Sequence, residues 1–217
     1  MIVANYLGDL RKEVVFVGGS VLPLLVDPDF ARPTEDIDCI MSARNKRDYY
    51  TFSDRLRSHG FRENMKANVL CRWEVGEENV QVDVMPIAED VLGFTNVWYE
   101  EAWSNSQSYN LPNGATIRIV TAVYFLATKF EAYQGRGQAD PGVSHDLEDI
   151  ITVISRRSDL QGLLGPASSG VKQYVKNRLK SLLLTLPNLE DILAWHVPYH
   201  GTPSVADVIA MLTRLTE

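Results

Sequence analysis

Three aspartates in two short apolar runs carry the densest chemistry in this chain. In "RPTEDIDCIM", Asp36 and Asp38 flank Ile37 at the mouth of a β-branched run, and in "VQVDVMPI" Asp83 stands among valines. A strand has a side-chain period of two, so Asp36 and Asp38 project from one face while Ile37, Cys39 and Met41 project from the other. Two bare carboxylates roughly 4 Å apart repel by about 4 kcal/mol at an effective dielectric of ~20. Compensation must come from a cation, a basic side chain or solvent at the strand end. A third feature is "GGS", Gly18 to Ser20, at a strand-to-helix turn. Glycines there let a ligand approach the backbone, and unpaired N–H groups at a helix start suit an anion. The turn is neither a P-loop, since no G-K-[ST] follows, nor a G-x-G-x-x-G turn. Three carboxylates meeting at a sheet edge make a hard, all-oxygen site suited to Mg²⁺ or Mn²⁺ with substrate phosphates. Two ions roughly 3.5 to 4 Å apart would clamp the attacking and leaving oxygens of an in-line displacement.

The elements that must position these groups follow from apolar periodicity. "EVVFVGGS" reads as a buried strand, Val14 to Val17, running into the glycine turn and a short helix from Ser20, with Pro23 in its first turn. "DIDCIM" is a second strand. "SARNKRDYYTFSDRLRSHG" carries Tyr49, Phe52 and Leu56 at helical spacing, with Ser42 or Asn45 as N-cap and Gly60 as stop. "VLCRWEV" and "VQVDVMPI" flank "GEEN" as a hairpin, with Val80, Val82 and Val84 on one face and Gln81, Asp83 and Met85 on the other. "TIRIV" closes this part near Val120. From Thr121 the period changes to 3.6, and "TAVYFLATKFEAY", "SHDLEDIITVISRR", "SGVKQYVKNRLKSLLLTL" and "SVADVIAMLTRLT" each carry an apolar stripe. The expected architecture is α/β, of the α+β kind: a mixed sheet domain flanked by helices over residues 1–120, then an all-helical domain over 121–217.

Composition narrows the setting. With 217 residues and 45% apolar content the chain can bury a sizeable core. Its two cysteines, Cys39 and Cys71, lie in strand-like stretches without metal-ligand spacing, which fits a reducing cytosol. No stretch is long and apolar enough to span a bilayer, and "MIVANYLGDLRKE" lacks the order of a signal peptide, so a cytoplasmic protein is expected. A net charge of −7 argues against wholesale nucleic-acid binding, yet Lys172, Lys176, Arg178 and Lys180 decorate one helix. Trp73, Trp98, Trp103 and Trp195 read as core or lid packing. His59, His196 and His200 lie near helix ends or loops without a Ser or Cys nucleophile in a recognisable setting.

"VGGS", a gap of fifteen residues from Ser20 to Asp36, "RPTEDID" and the lone aspartate of "VQVDV" together resemble the nucleotidyltransferase superfamily typified by DNA polymerase β. Arg32 and Thr34 ahead of the acids, with "TKFEAYQGRG" and "SHDLEDI" downstream, resemble in particular the AbiEii-type toxins of bacterial toxin–antitoxin systems and their mycobacterial tRNA-modifying relatives. The resemblance covers about Val14 to Ile154. It implies a pol-β-like sheet domain and a helical domain with an NTP between them, Mg²⁺ or Mn²⁺ held by Asp36, Asp38 and Asp83, and nucleotide binding at Gly18, Gly19 and Ser20. It also implies a triphosphate contact for Lys129, a supporting role for Asp146, and a second phosphate contact for Arg136; His145 stands where that branch more often has Lys or Arg. Without the resemblance, Lys129 would be a solvated lysine, and Asp146, just past the N-cap Ser144, would stabilise its helix by roughly 0.3 to 1 kcal/mol.

The activity so implied is transfer of an NMP from an NTP to an acceptor hydroxyl with release of pyrophosphate. Acceptors within this reading are tRNA or another RNA, a protein, or a small molecule such as an aminoglycoside, and a cognate antitoxin is an implied partner. The rival from a different class is a catalytically silent nucleotide- or protein-binding module of the same fold.

Overall fold

The structure, a computed structural model, describes residues 1–64, 70–137, 140–197 and 203–217, with the side chain of Arg136 and all of His200 outside the described residues. The chain divides into two compact units. Residues 1–21 and 33–121 form the first, and residues 22–32 and 122–217 the second.

The first unit is built on one mixed seven-stranded sheet. Its strands are β1 (Val14–Val17), β2 (Asp36–Met41), β3 (Arg62–Glu63), β4 (Arg72–Val75), β5 (Val80–Pro86), β6 (Gln107–Asn110) and β7 (Thr116–Ile119), in the order β3-β4-β5-β2-β1-β7-β6. β1 is an interior strand, buried along its whole length, as its unbroken "VVFV" requires. It runs antiparallel to β2 and parallel to β7, while β2 pairs parallel with β5. β4 and β5 are the expected hairpin, closing Val75 onto Val80. The Lys46–Ser58 helix buries Tyr49, Phe52 and Leu56 and is capped by Asn45, whose side chain accepts from the Asp48 N–H. The Tyr49 hydroxyl donates to the Val84 carbonyl at 3.2 Å, tying that helix to β5.

β3 and β6 have no counterpart in the sequence reading. Both are edges: β3 is exposed and β6 nearly so, and their polar residues show no alternation to mark them. Trp73 is buried as expected, whereas Trp195 is 77% exposed, so it packs neither core nor lid.

The second unit is helical. Residues Ala122 to Phe130 of the Ala122–Ala132 helix are all buried, so this helix is hydrophobic all round and forms the unit's centre. The helix His145–Arg156 is capped by Ser144. Ser169–Thr185 buries Val171, Val175, Leu179 and Leu182 at helical spacing, and Val205–Thr216 buries Val208, Leu212 and Leu215 behind a Ser204–Asp207 capping box. No helix among the described residues is long and apolar enough to cross a membrane.

Candidate active site

The sheet register assembles the acidic residues. β2 and β5 run in parallel with Asp38 directly beside Asp83 and Asp36 beside Gln81, so the three aspartates share a face. One carboxylate oxygen from each of Asp36, Asp38 and Asp83 lies within 4.8 Å of the others. That spacing fits an ion taking one oxygen from each, and the all-carboxylate donor set suits a hard cation such as Mg²⁺ or Mn²⁺.

The glycine turn abuts the same point. Val17 is paired with Asp38, and the chain leaves β1 through Gly18 at φ +68°. A Cβ at Gly18 would sit 1.9 Å from Asp38 Oδ2, so only glycine leaves room for that carboxylate. Ser20 does not point its hydroxyl into open space; its Oγ donates to the Val17 carbonyl at 3.3 Å and tightens the turn. The expected helix from Ser20 is a 3₁₀ turn, Gly19–Val21, followed by one helical turn, Leu22–Leu25. A helix that short has little macrodipole, so an anion at this turn would meet only the local N–H groups.

Of the three compensators open to the acids, a basic side chain is present. Arg72 on β4 lies directly opposite Asp83 in the hairpin register. Its Nε donates to Asp83 Oδ1 at 2.8 Å and its Nη2 to Asp83 Oδ2 at 2.7 Å. Nη2 also reaches Asp36 Oδ2 at 3.1 Å. The pairing with Asp83 pushes the Arg72 guanidinium pKa further above its ordinary value. Thr34 Oγ1 donates to the Asp36 carbonyl at 3.2 Å and steadies the entry to β2. Behind the site, burial with the negative potential of Asp83 drives the Cys71 thiol up to about 12, and burial with Asp38 raises Cys39 likewise, so both free cysteines stay protonated and inert.

Lys129 and Asp146 meet in the second unit. Lys129 Nζ lies 3.0 Å from Asp146 Oδ1 and 2.7 Å from Asp149 Oδ2. Asp149 in turn takes a fork from Arg32, with Nε at 2.9 Å and Nη2 at 3.2 Å. The side chains of Lys129 and Asp149 are 7% and 0% exposed, so Lys129 is sealed among carboxylates instead of solvated. His145, by contrast, is exposed beside Glu148.

Two residues of these networks escaped the sequence reading although a signal for each existed. Closing the hairpin at Val75 and Val80 forces Arg72 opposite Asp83. Asp149 follows Asp146 by three positions on one helix, which puts both on the same side.

No model of a known protein family matches the chain, and no curated protein does. Among solved structures, the chain is similar to the antibiotic-resistance factor ANT(2'')-Ia, 12% identical, covering 83% of this chain and 90% of that one at a TM-score of 0.48. It is also similar to a proposed nucleotidyltransferase from H. pylori, 13% identical, covering 99% of this chain and 90% of that one at a TM-score of 0.45.

Proposed function

We propose that the protein is a metal-dependent nucleotidyltransferase that moves an NMP from an NTP to an acceptor hydroxyl with release of pyrophosphate. The observation that carries this reading is the meeting of Asp36, Asp38 and Asp83 beside a glycine turn that only Gly18 can make. Divalent ions held there would supply neutralisation of the phosphate oxygens and a lowered pKa for the acceptor hydroxyl. The protein's own contribution is to fix the three carboxylates on adjacent strands, and to offer the backbone N–H groups around Gly19 to phosphate. Positioning and charge stabilisation then account for the rate. Lys129 and Asp146 enter as the nucleotide-binding pair that the motif resemblance names, with the Lys129 ammonium already giving two of its three N–H donors to Asp146 and Asp149.

For the acceptor we favour RNA, tRNA in particular, with the chain acting as the toxin of a toxin–antitoxin pair. Support comes from Lys172, Lys176 and Lys180, which recur every four residues along the Ser169–Thr185 helix and so form one basic stripe. The overall charge of −7 supports a second reading, a compact polycationic acceptor such as an aminoglycoside.

The test is incubation with each labelled NTP and Mg²⁺ in the presence of total RNA, protein lysate or aminoglycosides in separate reactions. Label is expected in the RNA fraction, falling at least a hundredfold in Asp36→Ala. A folded wild-type protein that labels none of the three would refute the transferase reading and leave the silent binding module.

A further inference from the structure

Arg72 already holds carboxylate oxygens that a metal ion could use. Its guanidinium takes both oxygens of Asp83 and one of Asp36, and those carboxylates belong to the one group of acids whose oxygens converge within 4.8 Å among the described residues. The placement is built into the sheet. Cys71 and Trp73, on either side in sequence, are buried, so alternation along the chain turns Arg72 toward the aspartates. The side chains of Arg72 and Asp36 are 21% and 34% exposed and that of Asp83 10%, so the guanidinium sits at the border of solvent, with its single bond to Asp36 the wetter hold and its fork on Asp83 the drier one.

Resting on the metal reading above, we propose that Arg72 is a resident competitor for the divalent ion, holding Asp83 and Asp36 until a polyanionic substrate draws the guanidinium away. A unit positive charge a few ångströms from a dication opposes its binding, even at the dielectric of water, by about tenfold or more. A guanidinium fork also matches a phosphate as well as it matches a carboxylate. Phosphate and ion therefore favour each other's binding: the substrate takes Arg72, Asp83 and Asp36 are released, and the ion gains two ligands. By linkage the ion strengthens nucleotide binding by the same factor. The protein alone thus holds few ions, and the site is completed when substrate is present.

The experiment is a Mn²⁺ titration followed by the electron-spin resonance of free Mn²⁺. It uses wild type, R72Q, R72K and a D36N control, with thermal melts to verify folding. Without nucleotide, R72Q is expected to bind Mn²⁺ at least tenfold tighter than wild type, with R72K between the two because a lysine cannot fork. A non-hydrolysable NTP analogue is expected to tighten Mn²⁺ binding in wild type and to do so much less in R72Q. Folded R72Q with unchanged or weaker Mn²⁺ affinity overturns the proposal; if R72Q does not fold, R72K decides by the same sign. Unchanged affinity in R72Q, with wild type that binds Mn²⁺ through Asp36 and labels an acceptor, removes this role for Arg72 and leaves the transferase standing. Tighter binding in R72Q without labelling by any NTP does the reverse, and absence of Mn²⁺ binding in every variant sinks both.

Discussion

Two networks of carboxylates and cations, one in each unit, use the same chemistry in different surroundings. On the sheet, Arg72 holds Asp83 and Asp36 with side chains 21%, 10% and 34% exposed. Among the helices, Lys129 and Arg32 converge on Asp149, which is sealed at 0%. The first network reaches water at Arg72 and Asp36, the setting that the exchange proposed for Arg72 requires. In the second, the buried carboxylate of Asp149 is balanced by both Lys129 and Arg32, and solvent does not reach it to replace either. On the role proposed for Arg72, ion pairs of near-identical length divide into an exchangeable site and a structural clamp, and exposure, not distance, makes the division.

The sharpest way to break this comparison is to remove one carboxylate from each network and measure unfolding by heat and denaturant. Asp149→Asn removes the charge that accepts the fork of Arg32 and takes one of the carboxylates from Lys129, and is expected to cost about 3 to 5 kcal/mol, a fall in Tm of roughly 6 to 20 °C for a chain of this size. Asp36→Asn, in the exposed network, is expected to stay within about 1 kcal/mol of wild type while Mn²⁺ binding is lost. Equal losses of stability in the two variants would mean that the sheet network is also a clamp.

A smaller effect sits where the sheet network meets the backbone. Gly18→Ala must adopt φ +68° and place a Cβ 1.9 Å from Asp38 Oδ2. The left-handed backbone and the displaced carboxylate together are expected to cost about 1 to 3 kcal/mol. Gly170→Ala, on a helix with open space around the new methyl, is expected to be neutral or slightly stabilising. Denaturant midpoints for the two variants would check this, and a Gly18→Ala protein as stable as wild type would show that Asp38 moves freely and is not held against the turn.

These contrasts also mark where the sequence speaks and where it falls silent. Strands β1, β2, β4 and β5 were legible because apolar runs and strict alternation are local signals, and the convergence of Asp36 with Asp38 follows from the pleat alone. That Asp83 lies beside Asp38 depends on which strands are neighbours, which no local pattern encodes. Residues 22–32 belong with the second unit, and the Arg32 fork spans 117 positions to Asp149. Sequence periodicity has no reach over such a distance. Periodicity alone, without the family resemblance, makes Lys129 a solvated lysine, because amphipathic helices normally keep lysine outside. Its helix is buried nearly all round, so no outside face exists, and two aspartates from another helix supply what water would have.

A pair of intermediate burial offers the finest graduation of the comparison. The Tyr174 hydroxyl donates to Glu131 Oε2 at 2.7 Å with both residues half-buried. Burial, and then the hydrogen bond to Glu131, push the Tyr174 pKa up to about 12. The folded state therefore keeps a proton that the unfolded chain gives up near its ordinary value of ~10. The resulting stabilisation is full below that unfolded pKa and is lost as pH rises toward the folded one, so the signature lies in alkaline solution and not at neutrality. Burial holds Tyr49 and Tyr133 up as well, so absorbance titration at the tyrosinate band is expected to show several tyrosines ionising late in wild type and one fewer in Glu131→Gln, where the acceptor charge is gone. The same substitution is expected to shift stability at neutral pH only slightly, because a half-buried pair can still be rescued by water. A large loss at neutrality would instead place Tyr174 and Glu131 with the sealed network, and would move the dividing line between clamp and exchangeable site further toward the surface.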